Sequence, residues 1–350
     1  MDDVRFSVVG CGRIGSMHAE MLASRVPGAV LDNVYDVAAG AAARTAAATG
    51  ARVAASVEDA VCADGVDAVA ICTSTDTHVD VIAAAASVGA AIFCEKPVSL
   101  DLAEVDRGLD AVERAGVPFQ VGFNRRWDPH HRAVADAVAA GDVGEVHLCV
   151  ITSRDPGPPP IEYIEVSGGI FLDMTIHDFD MARFVTGSDV VEVVARGAVR
   201  VDPAIGDAGD VDTAVILLTH ANGAITTINN SRRSAYGYDQ RVEVFGSLGM
   251  AASDNVHELN TALATSAGFR RSRLQEFFLE RYSTSYLRQW EAFVGLVRDG
   301  GVSPVTGADG RAPLVIGLAA DRSMREGRVV RTEEIGRSTD GLGETSGPAR

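Results

Sequence analysis

The chain has 350 residues with 47% hydrophobic and 23% charged side chains, and its 48 acids against 31 bases give a formal charge of −17. The length suits about two soluble domains with a sizeable core. So negative a surface excludes nucleic acid or anionic lipid as the main partner, since either demands a positive face; the one dense basic cluster, Arg270, Arg271 and Arg273, reads as solvated surface.

Met1-Asp2-Asp3 leads directly into a strand pattern, with neither the positive region nor the apolar stretch of a signal peptide. The longest apolar run, Val81 to Cys94, contains Ser87 and Gly89 and falls short of the roughly 20 residues of a membrane helix. A cytoplasmic protein without membrane contact is expected. The five cysteines (Cys11, Cys62, Cys72, Cys94, Cys149) form no CxxC pair, so neither disulfides nor a metal site is expected.

In the first third, apolar runs at Phe6–Val9, Val30–Tyr35, Asp67–Cys72, Ala91–Cys94 and Phe119–Val121 alternate with helical patterns such as Ser16–Ser24, Thr77–Val88 and Leu102–Ala115. That alternation implies parallel strands joined by right-handed crossovers, an α/β doubly wound sheet of Rossmann type, placed at residues 1–122. Beyond it the spacing predicts a helix over Pro129–Ala140, a strand over Val146–Thr152, a Pro-rich loop and a helix from about Phe171 to Val185. Successive strands follow at Val190–Val201, Thr213–Thr219, Ala224–Asn230 and Arg241–Phe245. Consecutive strands imply an α+β second domain with an open, mainly antiparallel sheet, placed at 123–337. Val215-Ile216-Leu217-Leu218 lacks polar alternation, so both of its faces are expected to be covered, one of them by a second subunit. Residues 338–350 are rich in Gly, Ser, Thr and Pro and read as a flexible tail.

Gly10-Cys11-Gly12-Arg13-Ile14-Gly15 follows an apolar strand and opens a helix, and Asp36 ends the next strand 21 residues past Gly15. Gly10 allows a tight turn, Gly12 lets the backbone approach a pyrophosphate, and the N–H groups of the helix start, at Arg13 and Ile14, face the anion. The Asp36 carboxylate can accept ribose hydroxyls and would repel a 2′-phosphate, which favours NAD over NADP. A Gly-rich turn beside a surface Asp would look the same without this context. Thr73, Ser74 and His78 follow the next strand of the sheet, where hydroxyls line the ligand crevice or cap a helix.

Thirty of the basic residues are Arg; the single Lys is Lys96, in Glu95-Lys96-Pro97 at another strand end. Pro97 favours an extended backbone at Lys96, aiming its side chain into the crevice with Glu95 beside the cofactor. A Lys retained among thirty Arg points to chemistry that a planar, permanently charged guanidinium cannot perform, codon bias being the plain alternative. Later, Asp173 and His177 stand four apart in an otherwise apolar helical pattern, with Asp180 near the same stripe. Such a stripe must face a cleft or a partner, or form a surface ion pair.

Those motifs, together with Val121-Gly122-Phe123-Asn124-Arg125-Arg126-Trp127-Asp128, Ser153-Arg154-Asp155-Pro156, the Gly168–Phe184 block and Tyr236-Gly237-Tyr238-Asp239-Gln240-Arg241, resemble the Gfo/Idh/MocA oxidoreductase family over residues 5–335, and its inositol branch above all. The resemblance implies Lys96, Asp173 and His177 as the catalytic set, with Arg126, Asp155 and Tyr236 touching the polyol and a homotetramer formed through the C-terminal sheet. It further implies NAD-dependent oxidation of one secondary alcohol of myo-inositol, giving 2-keto-myo-inositol. His177 would be the base, Lys96 would stabilise the alkoxide, and Asp173 would orient the imidazole or bind a neighbouring hydroxyl. Another inositol epimer or a sugar as substrate, a non-catalytic dinucleotide-binding regulator and a structural protein are the competing readings.

Overall fold

The computed structural model describes residues 3–336, so the expected tail at 338–350 lies outside the described residues. The chain begins β1 (Val4–Val9), α1 (Arg13–Ser24), β2 (Ala29–Tyr35), α2 (Ala39–Thr49), β3 (Arg52–Val53), α3 (Val57–Val61), β4 (Ala68–Ile71), α4 (His78–Ser87), β5 (Ala91–Cys94), α5 (Leu102–Ala115) and β6 (Phe119–Val121). These strands form one six-stranded sheet of order β3-β2-β1-β4-β5-β6, every pair parallel. The order reverses between β1 and β4, and a ligand crevice opens at the carboxyl ends of the strands at such a point. Asp101 accepts from Ala103 N and Glu104 N to start α5, and left-handed Gly116 ends it.

After a 3₁₀ turn over Asn124–Trp127 come α6 (Pro129–Ala139), β7 (Val146–Arg154), α7 (Ile161–Ile164), α8 (Gly169–Asp173), α9 (Ile176–Thr186), β8 (Val190–Ala198), α10 (Pro203–Asp207), β9 (Thr213–His220), β10 (Ile225–Ser231), β11 (Asp239–Gly246) and β12 (Met250–Ser253). A hairpin, β13 (Ala262–Thr265) and β14 (Gly268–Arg271), precedes α11 (Phe278–Arg281), α12 (Ser283–Asp299), α13 (Gly307–Glu326), β15 (Val330–Arg331) and α14 (Thr332–Gly336). The second sheet has the order β12-β11-β7-β10-β9-β8-β15; only β7 and β10 pair in parallel. Helices α8, α9 and α13 cover one face of it, burying Ile216 and Leu218 of β9. Within the chain the other face is open: Val215 and Leu217 stand 55% and 41% exposed, beside exposed Leu148, Val150, Ile225 and Phe245.

Two helices far beyond residue 122 belong to both layers. Trp290, Phe293 and Val294 of α12 pack on Phe6, Val8 and Phe93 of the first sheet. In α13, Leu314 joins the first core while Ile316 and Ala319 join the second. The α12 contact also carries a polar chain: the Trp290 indole N–H donates to His18 Nδ1 at 2.9 Å, and His18 Nε2 meets Glu95 Oε1 at 2.8 Å. Because the indole can only donate, Nδ1 of His18 is the acceptor and Nε2 carries the proton toward Glu95.

The expected helix from Phe171 to Val185 is interrupted at Met174–Thr175. Thr175 Oγ1 donates back to Ile170 O at 3.1 Å and to Asn230 Oδ1 of β10 at 2.8 Å, a side-chain competition that bends helices. No described helix is long and apolar enough to cross a membrane.

Replacing Trp290 by Phe keeps the ring packing and orphans buried His18 Nδ1. The unfolding free energy should fall by about 1–3 kcal/mol, read in urea titration as a lower midpoint at unchanged m value.

Candidate functional site

At the carboxyl edge of the first sheet, the glycine turn is shaped by close backbone approaches. A Cβ on Gly10 (φ +98°) would lie 2.4 Å from the Cys72 carbonyl carbon, and one on Gly15 would lie 1.8 Å from Gly10 O. A Cβ on Gly12 would meet no protein atom within 4 Å, so at that position what a side chain would obstruct is an incoming ligand. Gly12 caps α1 without a side-chain hydrogen bond, and the first turn holds no acid, so the N–H groups of Arg13 and Ile14 are available to an anion. Asp36 accepts from Cys11 N and Ala38 N, both at 2.7 Å, which fixes the carboxylate beside the turn. Exposed Val37 next to it brings no cation. The open backbone at Gly12–Ile14 suits a pyrophosphate and the Asp36 carboxylate suits ribose hydroxyls, which is the chemistry a dinucleotide would need here.

Thr73 borders the same turn, its backbone N 2.5 Å from where a Cβ on Gly10 would stand, and Ser74 precedes the 3₁₀ turn over Thr75–Thr77. His78 does not face the crevice: it is buried, its Nδ1 at 2.9 Å from Pro97 O and its Nε2 at 3.1 Å from Thr73 O. Burial lowers its pKa against those hydrogen bonds. Its place is to tie the end of β4 to the Lys96–Pro97 segment, in place of the expected cofactor contact. Glu95, expected beside the cofactor, is engaged by His18.

Lys96 reaches across to the second layer. Its Nζ donates to the Asp173 carbonyl at 3.0 Å and stands 3.9 Å from Asp173 Oδ1. The interruption at Met174–Thr175 makes this possible, because an unbroken helix would direct the His177 N–H to that carbonyl. The Asp173 carboxylate also accepts from Tyr163 OH at 2.9 Å and from Arg232 at 3.2 Å. His177 sits edge-on to Phe123, ring centroids 6.0 Å apart. Its Nδ1 is buried without a partner, leaving Nε2 as the nitrogen open to a ligand. Burial, then the charges of Lys96 and Arg125, hold the imidazole pKa well below its ordinary value, so the ring is neutral at pH 7.

Asp155 follows β7 and stands among the charges of Arg125, Asp173, Arg232 and Asp178; burial pushes its pKa up to about 7 against the pull of Arg125. Beneath the site, buried Arg125 donates to Asp178 Oδ1 at 2.7 Å, and Asn230 donates to Asp178 Oδ2 at 2.7 Å, pinning the start of α9 to β10.

Two residues expected to touch the polyol are held by partners within the protein. Arg126 is buried in a bidentate pair with Asp180, with further bonds to Asp309 and Pro304 O and its guanidinium over Phe184. The stripe therefore ends at His177, since Asp180 turns the other way. Tyr236 is half-exposed, donating to Asp239 at 2.5 Å and accepting from Arg154 at 2.8 Å. Conversely, Tyr163, Arg232 and Arg125 were missed. Arg125 had a signal, its place beside Arg126 directly after β6; Arg232 comes to Asp173 only through the parallel pairing of β10 with β7, which spacing does not reveal.

Residues 4–123 match the oxidoreductase family with an NAD-binding Rossmann fold, and residues 131–252 match the GFO/IDH/MocA C-terminal domain. The myo-inositol 2-dehydrogenase of Thermotoga maritima is 47% identical over 95% of this chain and 99% of its own. A crystal structure of a probable dehydrogenase from Thermotoga maritima superposes with TM-score 0.93 at 46% identity, covering 95% of this chain and 100% of that one. The scyllo-inositol dehydrogenase of Lactobacillus casei, solved with NAD(H) and scyllo-inositol, superposes with TM-score 0.89 at 26% identity, covering 95% of this chain and 100% of that one.

The raised pKa of Asp155 carries a sign for stability. Between the unfolded carboxyl value near 3.9 and the folded value of about 7, the unfolded chain gains from ionisation while the folded one stays protonated. Asp155→Asn should therefore gain stability over the parent as pH rises from 4 to 7 and hold that margin above 7, checked by denaturant titration across pH; a margin independent of pH would contradict it.

Proposed function

Because the chain belongs to the Gfo/Idh/MocA oxidoreductase family, we propose that it is an NAD-dependent inositol 2-dehydrogenase that oxidises myo-inositol to 2-keto-myo-inositol. The observation that carries this reading is the convergence of Lys96, Asp173 and His177 across the cleft from a cradle fitted to a dinucleotide. Bound NAD supplies the acceptor, at nicotinamide C4, for the hydride leaving the carbinol carbon.

His177, neutral and with Nε2 open, takes the hydroxyl proton. Lys96 stabilises the negative charge that develops on the oxygen, and the same charge keeps His177 from binding a proton in advance. Asp173 holds Lys96 through its backbone and offers its carboxylate, bounded by Tyr163 and Arg232, to a neighbouring hydroxyl. Asp155 faces the same cluster and accepts or donates according to its protonation near neutral pH. The products are the ketone, reduced NAD and one proton.

Initial rates over a panel of inositol epimers and hexoses, each with NAD and with NADP, test the substrate and the cofactor together. The highest kcat/KM is expected for myo-inositol with NAD. A preference for scyllo-inositol, D-chiro-inositol or a sugar would replace the substrate, and equal kcat/KM with NADP would remove the role given to Asp36. Lys96→Arg should lower kcat by about a hundredfold or more, and turnover near the parent's would end the assignment of Lys96.

The apolar open face of the second sheet supports a contact between two copies through the exposed side of β7, β9, β10 and β11, one interface of the cytoplasmic homotetramer that the family resemblance implies. Sedimentation velocity should give four copies for the parent chain and smaller species for Leu217→Asp, in which a charge would be buried in the interface.

A further inference from the structure

Helix α7 is four residues long and stands between two stretches that set its chain path. Before it come Pro156, Pro158, Pro159 and Pro160; after it come Gly168 and Gly169, at φ of +83° and +74°, values that favour glycine. Ile164 anchors the segment in the interior, while Tyr163 is 47% exposed at the mouth of the cleft.

The Tyr163 hydroxyl donates to Asp173 Oδ1 at 2.9 Å, and Lys96 Nζ lies 3.9 Å from that same oxygen. Phenol and ammonium thus converge on one carboxylate oxygen. Arg232 holds the other oxygen, donating to Asp173 Oδ2 at 3.2 Å. The phenol of Tyr163 therefore stands at the Lys96 side of Asp173.

A cyclic polyol with its reacting hydroxyl at Lys96 and His177 carries a hydroxyl on each adjacent carbon, and Asp173 Oδ1, 3.9 Å from Lys96 Nζ, is within reach of one of them. The phenol oxygen, its proton committed to Asp173, has lone pairs left to accept from that neighbour. Myo- and scyllo-inositol differ only in the configuration of the carbon that becomes the ketone; with the reacting C–O and C–H bonds held at the site, the adjacent hydroxyl stands cis to the reacting one in the first and trans in the second, and an oxygen fixed in place by Asp173 meets only one of these directions.

Building on the inositol reading above, we propose that Tyr163 is a polyol-binding residue that sets the preference among inositol epimers by accepting a hydrogen bond from the hydroxyl adjacent to the reacting one. Tyr163→Phe retains the ring and removes this oxygen together with its hydrogen bond to Asp173, at a half-exposed position.

The experiment compares parent and Tyr163→Phe in steady-state kinetics with myo- and scyllo-inositol at saturating NAD, and with NAD varied. The variant should raise KM for the preferred inositol about tenfold, the size of one neutral hydrogen bond. Its kcat should stay within about threefold, its KM for NAD should be unchanged, and the ratio of kcat/KM between the two epimers should move toward unity. An unchanged epimer ratio, or a parallel rise in every KM including that of NAD, would show that Tyr163 merely fastens α7 and would overturn the proposal alone. Absence of turnover with any inositol in the parent chain would overturn the functional reading and this proposal with it.

Discussion

Lys96 is held by a backbone carbonyl that a regular helix would have kept for itself. Thr175 turns its hydroxyl back to Ile170 O and on to Asn230, the helical ladder breaks between α8 and α9, and Asp173 O becomes free to accept the ammonium. The same break changes the relation between the two acidic positions of this segment. Asp173 ends one short helix and faces the cleft, while Asp180, within the next, turns to Arg126. A carbonyl is a neutral acceptor, so Lys96 keeps its full positive charge for an oxygen that becomes negative during reaction, with the Asp173 carboxylate further off at 3.9 Å. Site and helix break are one feature.

That arrangement needs the two sheets fixed against each other, because Lys96 comes from the first and Asp173 from the second. The seam is made by buried charges and shared helices. Arg125 pairs with Asp178, Arg126 with Asp180 and Asp309, and Arg281 with Asp128, all near the turn that follows β6. Each is costly to break, about 3–5 kcal/mol when one partner is removed, since the other charge is then left buried and alone. Helix α12 closes the first sheet from the far end of the sequence, and Trp290 hands its N–H through His18 to Glu95, the neighbour of Lys96. Positioning of the lone lysine thus draws on α1, β5 and α12 together, with His78 fastening Pro97 on the other side.

Much of the fold was legible. Apolar runs alternating with helical patterns implied the parallel sheet, and the observed order β3-β2-β1-β4-β5-β6 is the doubly wound arrangement that such alternation leads to. The consecutive strands of the second layer were also visible, since strand periodicity is a local property. The unbroken apolar strand at Val215–Leu218 led to an expectation of cover on both faces; within the chain Ile216 and Leu218 are covered by helices, and Val215 and Leu217 lie on the open face where a second copy is proposed. His78 and Arg126 were legible as polar residues near the crevice but not as buried structural ties, because what saturates a side chain is decided by elements distant in sequence.

By itself the sequence determined which residues stand at strand ends, where a glycine must admit a close approach, and that one lysine survives among thirty arginines; these are matters of local geometry and composition. Only the tertiary structure decided which of the polar groups share a space. Tyr163 and Arg232 come to Asp173 from a short loop helix and from the end of β10, 10 and 59 residues away along the chain. Hydrogen bonds and charges act over a few ångströms in space, and distance along the chain does not measure that.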